Sequence, residues 1–333
     1  MTDQSLAQLS NLAIYSAMAV LTLAMLADAV YLARLVPARE AAREGVRDRE
    51  LVPAGTVDGD VGDAASEGSA DAAAGRAAEP LAARKAAGIG WTLTLLGTML
   101  VVAGVVLRAL EVHRWPLGNM YEFAVFGAMF VLLAYCGWVI RSERDLRWLG
   151  LFVVIPVLLN LGLAITVWYT DASELMPSLR SVWLAIHVTV ATLSVAIFTI
   201  GFSLGVMYLI QDRLEAAPER PRSFMGRLPD ARSLERLTYA VHIVAFPLWT
   251  FTVIAGAIWA RQAWGSYWNW DPKEVWSFVI WVVYAGYLHA RVTRGWDGRR
   301  AAFLALAGYA CVLFNFLVVN IVFVGYHSYA GVG

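Results

Sequence analysis

Four tryptophans, a tyrosine and an acidic–basic quartet fall within the thirteen residues Trp264-Gly-Ser-Tyr-Trp-Asn-Trp-Asp-Pro-Lys-Glu-Val-Trp276, between two long apolar runs. A membrane-edge aromatic belt accounts for one or two tryptophans, not for this density in one short loop. Such a loop suits a flat, apolar, polarizable ligand, and a porphyrin has that shape. Two histidines carry the chemistry to complete such a site. Neutral imidazole is a good axial ligand for haem iron, and a bis-histidine site needs two rings facing one plane. His187, in Val182-Trp-Leu-Ala-Ile-His187, opens one apolar run. His327, in Gly325-Tyr-His-Ser-Tyr329, follows the last. The alternative for each is an interfacial histidine bonded to water or headgroups.

The quartet Asp271-Pro-Lys-Glu274 reads as a helix start. Asp is a preferred N-cap, Pro suits the first helical position, and Glu two residues after Pro completes a capping box. A rigid start here fixes the tryptophan loop. Lys273 is also a candidate partner for a haem propionate. His289 lies fifteen residues beyond Glu274, about 22 Å along a helix at 1.5 Å per residue. It therefore belongs across the bilayer from His187 and His327. An intramembrane ionisable residue is a functional candidate by default; the alternative is an interfacial histidine beside Arg291. His242 reads as a structural histidine. His113 stands in His113-Arg-Trp-Pro-Leu-Gly-Asn-Met-Tyr-Glu122, where Pro116, Gly118 and Asn119 supply turn chemistry. Glu122 suits the N-terminal dipole of the next helix. Physics alone makes this a structured loop. Asn160, Asn315 and Asn320 are intramembrane amides suited to joining helices.

The elements that hold these residues follow from hydropathy. The chain has 333 residues, 59% hydrophobic and 16% charged, with mean hydropathy +0.59. A soluble domain carries about 25% charged residues. Several apolar runs exceed the roughly 18 residues that mark a spanning helix. The expectation is an all-α, polytopic bundle of eight spans near 11–35, 89–110, 121–141, 148–168, 182–210, 239–260, 274–292 and 301–324. The N-terminus has no basic residue before the first run and no clear cleavage site, so the first run reads as an uncleaved span. Residues 36–88 are rich in Ala, Gly, Asp, Glu and Arg and read as a disordered cytoplasmic linker. Residues 89–333 then form a seven-span core. Pro156 and Pro247 fall inside spans, where proline kinks a helix.

Orientation follows from basic residues. Twenty-one of the 26 lie in the linker and in the segments after spans 3, 5 and 7. The other set of loops holds Arg108, Arg114, Arg180, Arg261 and Lys273. The basic set faces the cytoplasm on this rule, so both termini and the tryptophan loop face outward. The net charge is zero, and nothing points to nucleic acid. Cys136 and Cys311 form neither CxxC nor CxxCH, which argues against a thioredoxin-like role and against a c-type cytochrome.

On these residues the chain resembles the CcsA/ResC family of cytochrome c biogenesis, labelled CcsB in actinobacteria. The resemblance runs from about Ile89 to the C-terminus. It rests on Trp264–Glu274 as quoted, on Tyr287-Leu-His-Ala-Arg291, on Pro116-Leu-Gly-Asn-Met-Tyr-Glu122 and on Gly325-Tyr-His-Ser-Tyr329. The first string is the tryptophan-rich WWD signature; related haem exporters and lyases share a looser form. The resemblance implies that the loop, with Trp264, Trp268, Trp270 and Asp271, binds haem b at the outer face of the plasma membrane. It implies that His187 and His327 ligate the iron there. His289 matches an intramembrane histidine of a haem-entry site whose second ligand comes from a ResB/Ccs1-type partner. That System II complex moves haem outward and joins its vinyl groups to the CxxCH cysteines of apocytochrome c; a thioredoxin-like thiol-reductant pathway serves it indirectly. His113 matches a recurrent motif position of less defined role. The resulting expectation is one half of a cytochrome c synthase. The alternatives are a haem exporter or chaperone without ligation activity, and a b-type cytochrome subunit of a respiratory complex. No side chain stands out as the proton donor for thioether formation.

Overall fold

The computed structural model describes residues 2–50, 80–143, 145–171, 181–217, 225 and 228–327. They form helices and turns, with no strand among the described residues. Eight helices are long and apolar enough to cross a membrane. They are α1 (Asp3–Glu50), α2 (Leu81–Val112), α3 (Met120–Arg141), α4 (Gly150–Thr166, entered through a 3₁₀ turn at Arg147–Leu149), α5 (Val182–Glu215), α6 (Ala231–Trp264), α7 (Pro272–Arg294) and α8 (Gly298–Val322). The protein is a multi-pass membrane bundle. Large apolar side chains such as Leu12, Leu159, Val182 and Val292 lie exposed on its outside, as a surface facing hydrocarbon requires.

The spans fall where hydropathy places them, but several ends differ, among them the starts of α1, at Asp3 rather than 11, and of α6, at Ala231 rather than 239. Helix α1 continues to Glu50, past residue 35, and α2 starts at Leu81, before residue 89. Residues 36–50 are rich in Ala, Arg and Glu, and residues 81–88 in Ala with Arg84 and Lys85, strong helix formers that prolong a helix beyond the apolar segment. The centre of the expected linker, residues 51–79, lies outside the described residues.

Small residues set how closely neighbours approach. On α2, Gly90, Gly97 and Gly104 face Asp28, Leu21 and Ile14 of α1. A Cβ at Gly97 would stand 2.6 Å from Leu21 Cδ2, and one at Gly104 2.5 Å from Ile14 Cδ1. Both sets repeat every seven residues, the spacing of a coiled-coil seam. Ser10 Oγ adds a hydrogen bond to the Gly104 carbonyl at 2.9 Å. Asp28 is buried among α2, Gly150 of α4 and Tyr135 of α3.

Helices α5 and α6 pack in the same manner. Gly201 faces the His242 ring and Gly256 faces the His187 ring, while Ser194 Oγ donates to the Ala245 carbonyl at 2.9 Å. His242 is a core residue, as read. Its Nδ1 donates to Thr238 O at 2.6 Å, and its ring packs on Phe198, Tyr284 and Tyr287. Asn160 joins α4 to α3 by donating to Ala124 O at 2.7 Å. One large core unites α1 to α6; a second, around Phe198, Trp249, Tyr284 and Tyr309, ties α5 and α6 to α7 and α8. Near its end α8 widens into a π turn at Phe314–Val319.

Candidate functional site

The N-terminal ends of α3, α5 and α7 and the C-terminal ends of α6 and α8 meet at one end of the bundle. Their ends are fixed by local chemistry. Asn119 caps α3, its side chain accepting from the Glu122 amide at 2.8 Å. Ser181 caps α5 by accepting from the Trp183 amide at 3.2 Å. Gly265 closes α6 in the left-handed region, with φ +81°.

The tryptophan loop is held by the expected capping box at α7, with Asp271 at the N-cap and Pro272 first in the helix. Asp271 accepts from the Lys273 amide at 3.0 Å. Glu274 Oε2 reaches back to the amides of Asn269 at 2.7 Å and Asp271 at 3.2 Å. Ser266 Oγ donates to Trp268 O at 2.9 Å. Trp270 adopts φ +56° and is 78% exposed. A bulky residue in that region is uncommon and is held there by its surroundings.

Between these ends lies a cavity of about 200 Å³. His187 and His327 both line it, with Trp249, Trp259, Trp268, Lys273 and Glu274. The far wall is Leu117–Met120 and Phe123. The lining is mostly apolar, with a few polar groups placed in it, the general character of a small-molecule site.

Each imidazole is oriented through its Nδ1. His187 Nδ1 donates to Thr252 O at 2.9 Å, and Gly256 leaves room for the ring. His327 Nδ1 donates to Asp271 Oδ1 at 2.8 Å. A histidine that gives one ring N–H to a carbonyl or carboxylate keeps the other nitrogen free and more basic, the usual arrangement of metal-ligating histidines. In both residues Nε2 is the atom left to bind. Trp259 contacts both rings, stacked on His187 at 6.2 Å and edge-on to His327 at 5.8 Å between centroids. Asp271 also accepts from the Tyr326 amide at 2.6 Å. Burial raises its carboxyl pKa, but the hydrogen bonds from His327 and from the Lys273 and Tyr326 amides outweigh burial and hold it below the usual 3.8. It stays a carboxylate.

The structure brings together His187, His327, Trp268 and Asp271. Trp264 packs edge-on against His327 at 4.9 Å and supports the ring from behind. Trp270 stands against Trp268, with centroids 5.9 Å apart, but points outward. His113 does not join the group. It ends α2 with φ +50°, its side chain exposed and Nε2 3.4 Å from Asp3. The loop that carries it contributes an apolar wall instead, anchored by Arg114 and Gly118, which donate to Glu122 Oε2 at 2.8 and 2.7 Å. His289 lies near the opposite end of α7 and is exposed, on a face shared with Phe278 and Val282.

Four features of the site carried no clear signal in the sequence. Gly256 is one glycine in an apolar run. Trp249 and Trp259 read as ordinary span residues. The π turn of α8 is the fourth: there Lys273 Nζ donates to Asn315 O at 3.0 Å and to Asn320 Oδ1 at 2.7 Å. Asn315 and Asn320 both join helices, Asn315 donating to Ser277 Oγ at 3.2 Å and Asn320 to Met120 Sδ at 3.1 Å, and both line the cavity.

Residues 117–327 match the model of a family described as cytochrome C assembly protein. The span begins at the apolar loop wall and ends at His327, so it encloses every element of the cavity. Among curated relatives, the cytochrome c biogenesis protein CcsA of Chlamydomonas reinhardtii is 36% identical over 244 residues, covering 69% of this chain and 67% of the relative. The protein of the same name from Parasynechococcus marenigrum (strain WH8102) is 34% identical over 269 residues, 73% of this chain and 86% of the relative. That from Picosynechococcus sp. is 33% identical over 303 residues, 71% and 88%. Family model, relatives and helical architecture agree: this chain belongs to the CcsA family of cytochrome c assembly proteins and has a role in cytochrome c maturation.

Proposed function

We propose that this protein binds haem b in the cavity, with His187 and His327 as axial ligands, and presents it for attachment to apocytochrome c. The observation that carries the reading is the matched pair of imidazoles. Two rings lining one cavity each spend Nδ1 on a protein acceptor and keep Nε2 for a metal. Bound haem supplies the iron and the two vinyl groups that react. The chain's own residues orient it. Asp271 fixes the His327 ring, Thr252 fixes His187, and Trp259 and Trp268 give flat apolar contact. A cavity of about 200 Å³ is below the roughly 300–1,000 Å³ of a typical ligand pocket. It encloses part of a macrocycle and leaves an edge projecting, as presentation to a second protein requires. Holding vinyl carbons near the two thiols lowers the barrier through orientation.

By the distribution of basic residues the cavity faces outward and both termini lie on that side. His289, on an exposed face at the other end of α7, then serves haem entry with a ligand from a ResB/Ccs1-type partner in the plasma membrane. The complex should purify with low-spin, bis-histidine haem. His187→Gly and His327→Gly should each lose that spectrum, and added imidazole should partly restore it. Unaltered low-spin spectra in both variants refute the ligand assignment. Thioether formation on a CxxCH peptide with partner present separates a synthase from an exporter; reversible reduction by quinol marks an electron-transfer subunit instead.

A further inference from the structure

Lys273 is a cation in a position that the fold does not favour. It stands in the first turn of α7, at the helix end whose dipole disfavours positive charge. It is partly buried and lines the cavity that holds His187 and His327. A lysine ammonium has three donors. Two are spent on neutral acceptors, the Asn315 carbonyl and Asn320 Oδ1. Among the described residues Lys273 forms no ion pair. The adjacent carboxylates are turned elsewhere. Asp271 serves His327 and the amides of Tyr326 and Lys273, and Glu274 Oε2 serves the amides of Asn269 and Asp271.

The π turn of α8 belongs to the same arrangement. Insertion of a side chain into a helix ladder is one cause of such distortions, and single π turns are frequent at functional sites. Here the Lys273 ammonium donates to a carbonyl within the turn and to the Asn320 side-chain oxygen just beyond it. The π turn of α8 thus holds the Lys273 ammonium, with one donor unspent, beside the cavity.

We propose that Lys273 binds a propionate of the haem substrate and thereby fixes which edge of the macrocycle faces the apocytochrome; this rests on the haem reading above. The two propionates and the two vinyls occupy opposite edges of iron protoporphyrin IX. A propionate at Lys273 directs the vinyl edge away from α7 and α8. Asn315 and Asn320 hold the ammonium in place, and the charge pair forms only when the substrate arrives.

The test compares iron protoporphyrin IX with its dimethyl ester, which keeps ring, iron and vinyls but lacks the anions. Binding to the purified complex, stripped of endogenous haem, is followed by the bis-histidine absorption spectrum. The wild type should prefer the diacid about ten- to a hundredfold, the scale of one hydrogen bond between charged groups. Lys273→Gln should bind diacid and diester alike, and Lys273→Arg should keep most of the preference. If the Gln variant does not accumulate, the wild-type comparison alone decides. Equal wild-type affinity for diacid and diester, with the bis-histidine spectrum present, overturns the Lys273 assignment and leaves the haem site standing. A wild type that binds neither overturns the haem reading itself.

Discussion

Gly256→Ala tests the site through a cavity-lining residue that has no side chain to ligate iron and acts by seating the His187 ring. A Cβ at this position of α6 would lie 2.7 Å from His187 Cε1 and 2.9 Å from its Nδ1, whereas ordinary contact begins at 3.4 Å. To make room the ring must retreat by about 0.7 Å. The Nδ1 to Thr252 O distance, now 2.9 Å, then lengthens to about 3.6 Å, beyond a hydrogen bond. His187 loses the contact that sets its ring plane and tautomer. Removing such a supporting partner from a ligating histidine costs about 10- to 100-fold in metal affinity. The assay is haem per protein and the absorption spectrum of the purified complex. Gly137→Ala on α3 is the control, because a Cβ there meets nothing within 4 Å. Gly256→Ala should accumulate like the control yet carry roughly tenfold less low-spin haem at limiting haem. Wild-type occupancy and spectrum in Gly256→Ala would refute the claim that His187 acts from the position described.

Two further variants probe the ends of the site. Asp271 is held below its ordinary 3.8, so its contribution is complete above that value and is lost only as pH falls through the lower folded value. The thermal midpoint of the complex should therefore show no Asp271-dependent change between pH 8 and pH 5; a carboxylate-like transition above pH 5 that vanishes in Asp271→Asn would contradict the pairing with His327. His289→Ala should lower total haem without altering the spectrum of what remains, because it lies at the opposite end of α7. A changed axial spectrum in that variant would mean that His289 itself reaches the cavity iron.

Much of this was legible in the chain because the bilayer leaves few solutions. Apolar runs of spanning length must be helices, and Asp271-Pro-Lys-Glu274 carries a capping box in its order of residues. His187 and His327 could be assigned to the same end because each abuts the end of a run. What could not be read depends on contacts between distant segments. Gly256 matters only because α5 sets His187 against it. The π turn arises where Lys273 meets Asn315 and Asn320, 42 and 47 residues away. His113 shares a loop with the cavity wall, but the left-handed residue that ends α2 turns its side chain toward Asp3. Helix ends in α1 and α2 ran past the apolar runs because propensity, not hydropathy, decides them.

The seam between α1 and α2 has one further consequence. Its partners repeat every seven residues on both helices, Ile14, Leu21 and Asp28 against Gly104, Gly97 and Gly90. A sliding displacement by one heptad would again set side chains against glycines, so small-residue packing alone does not choose between the alignments. Asp28 breaks the degeneracy. In the observed alignment its carboxyl sits beside Gly150 and Tyr135; seven residues along, it would face Gly97, about 10 Å deeper along the span at 1.5 Å per residue, where burial of a carboxyl costs more. A buried polar group that selects one register of a heptad pair is a known device in soluble coiled coils. Here a single carboxyl indexes the first helix against the rest of the bundle, like the key that lets a symmetric plug enter in one position only.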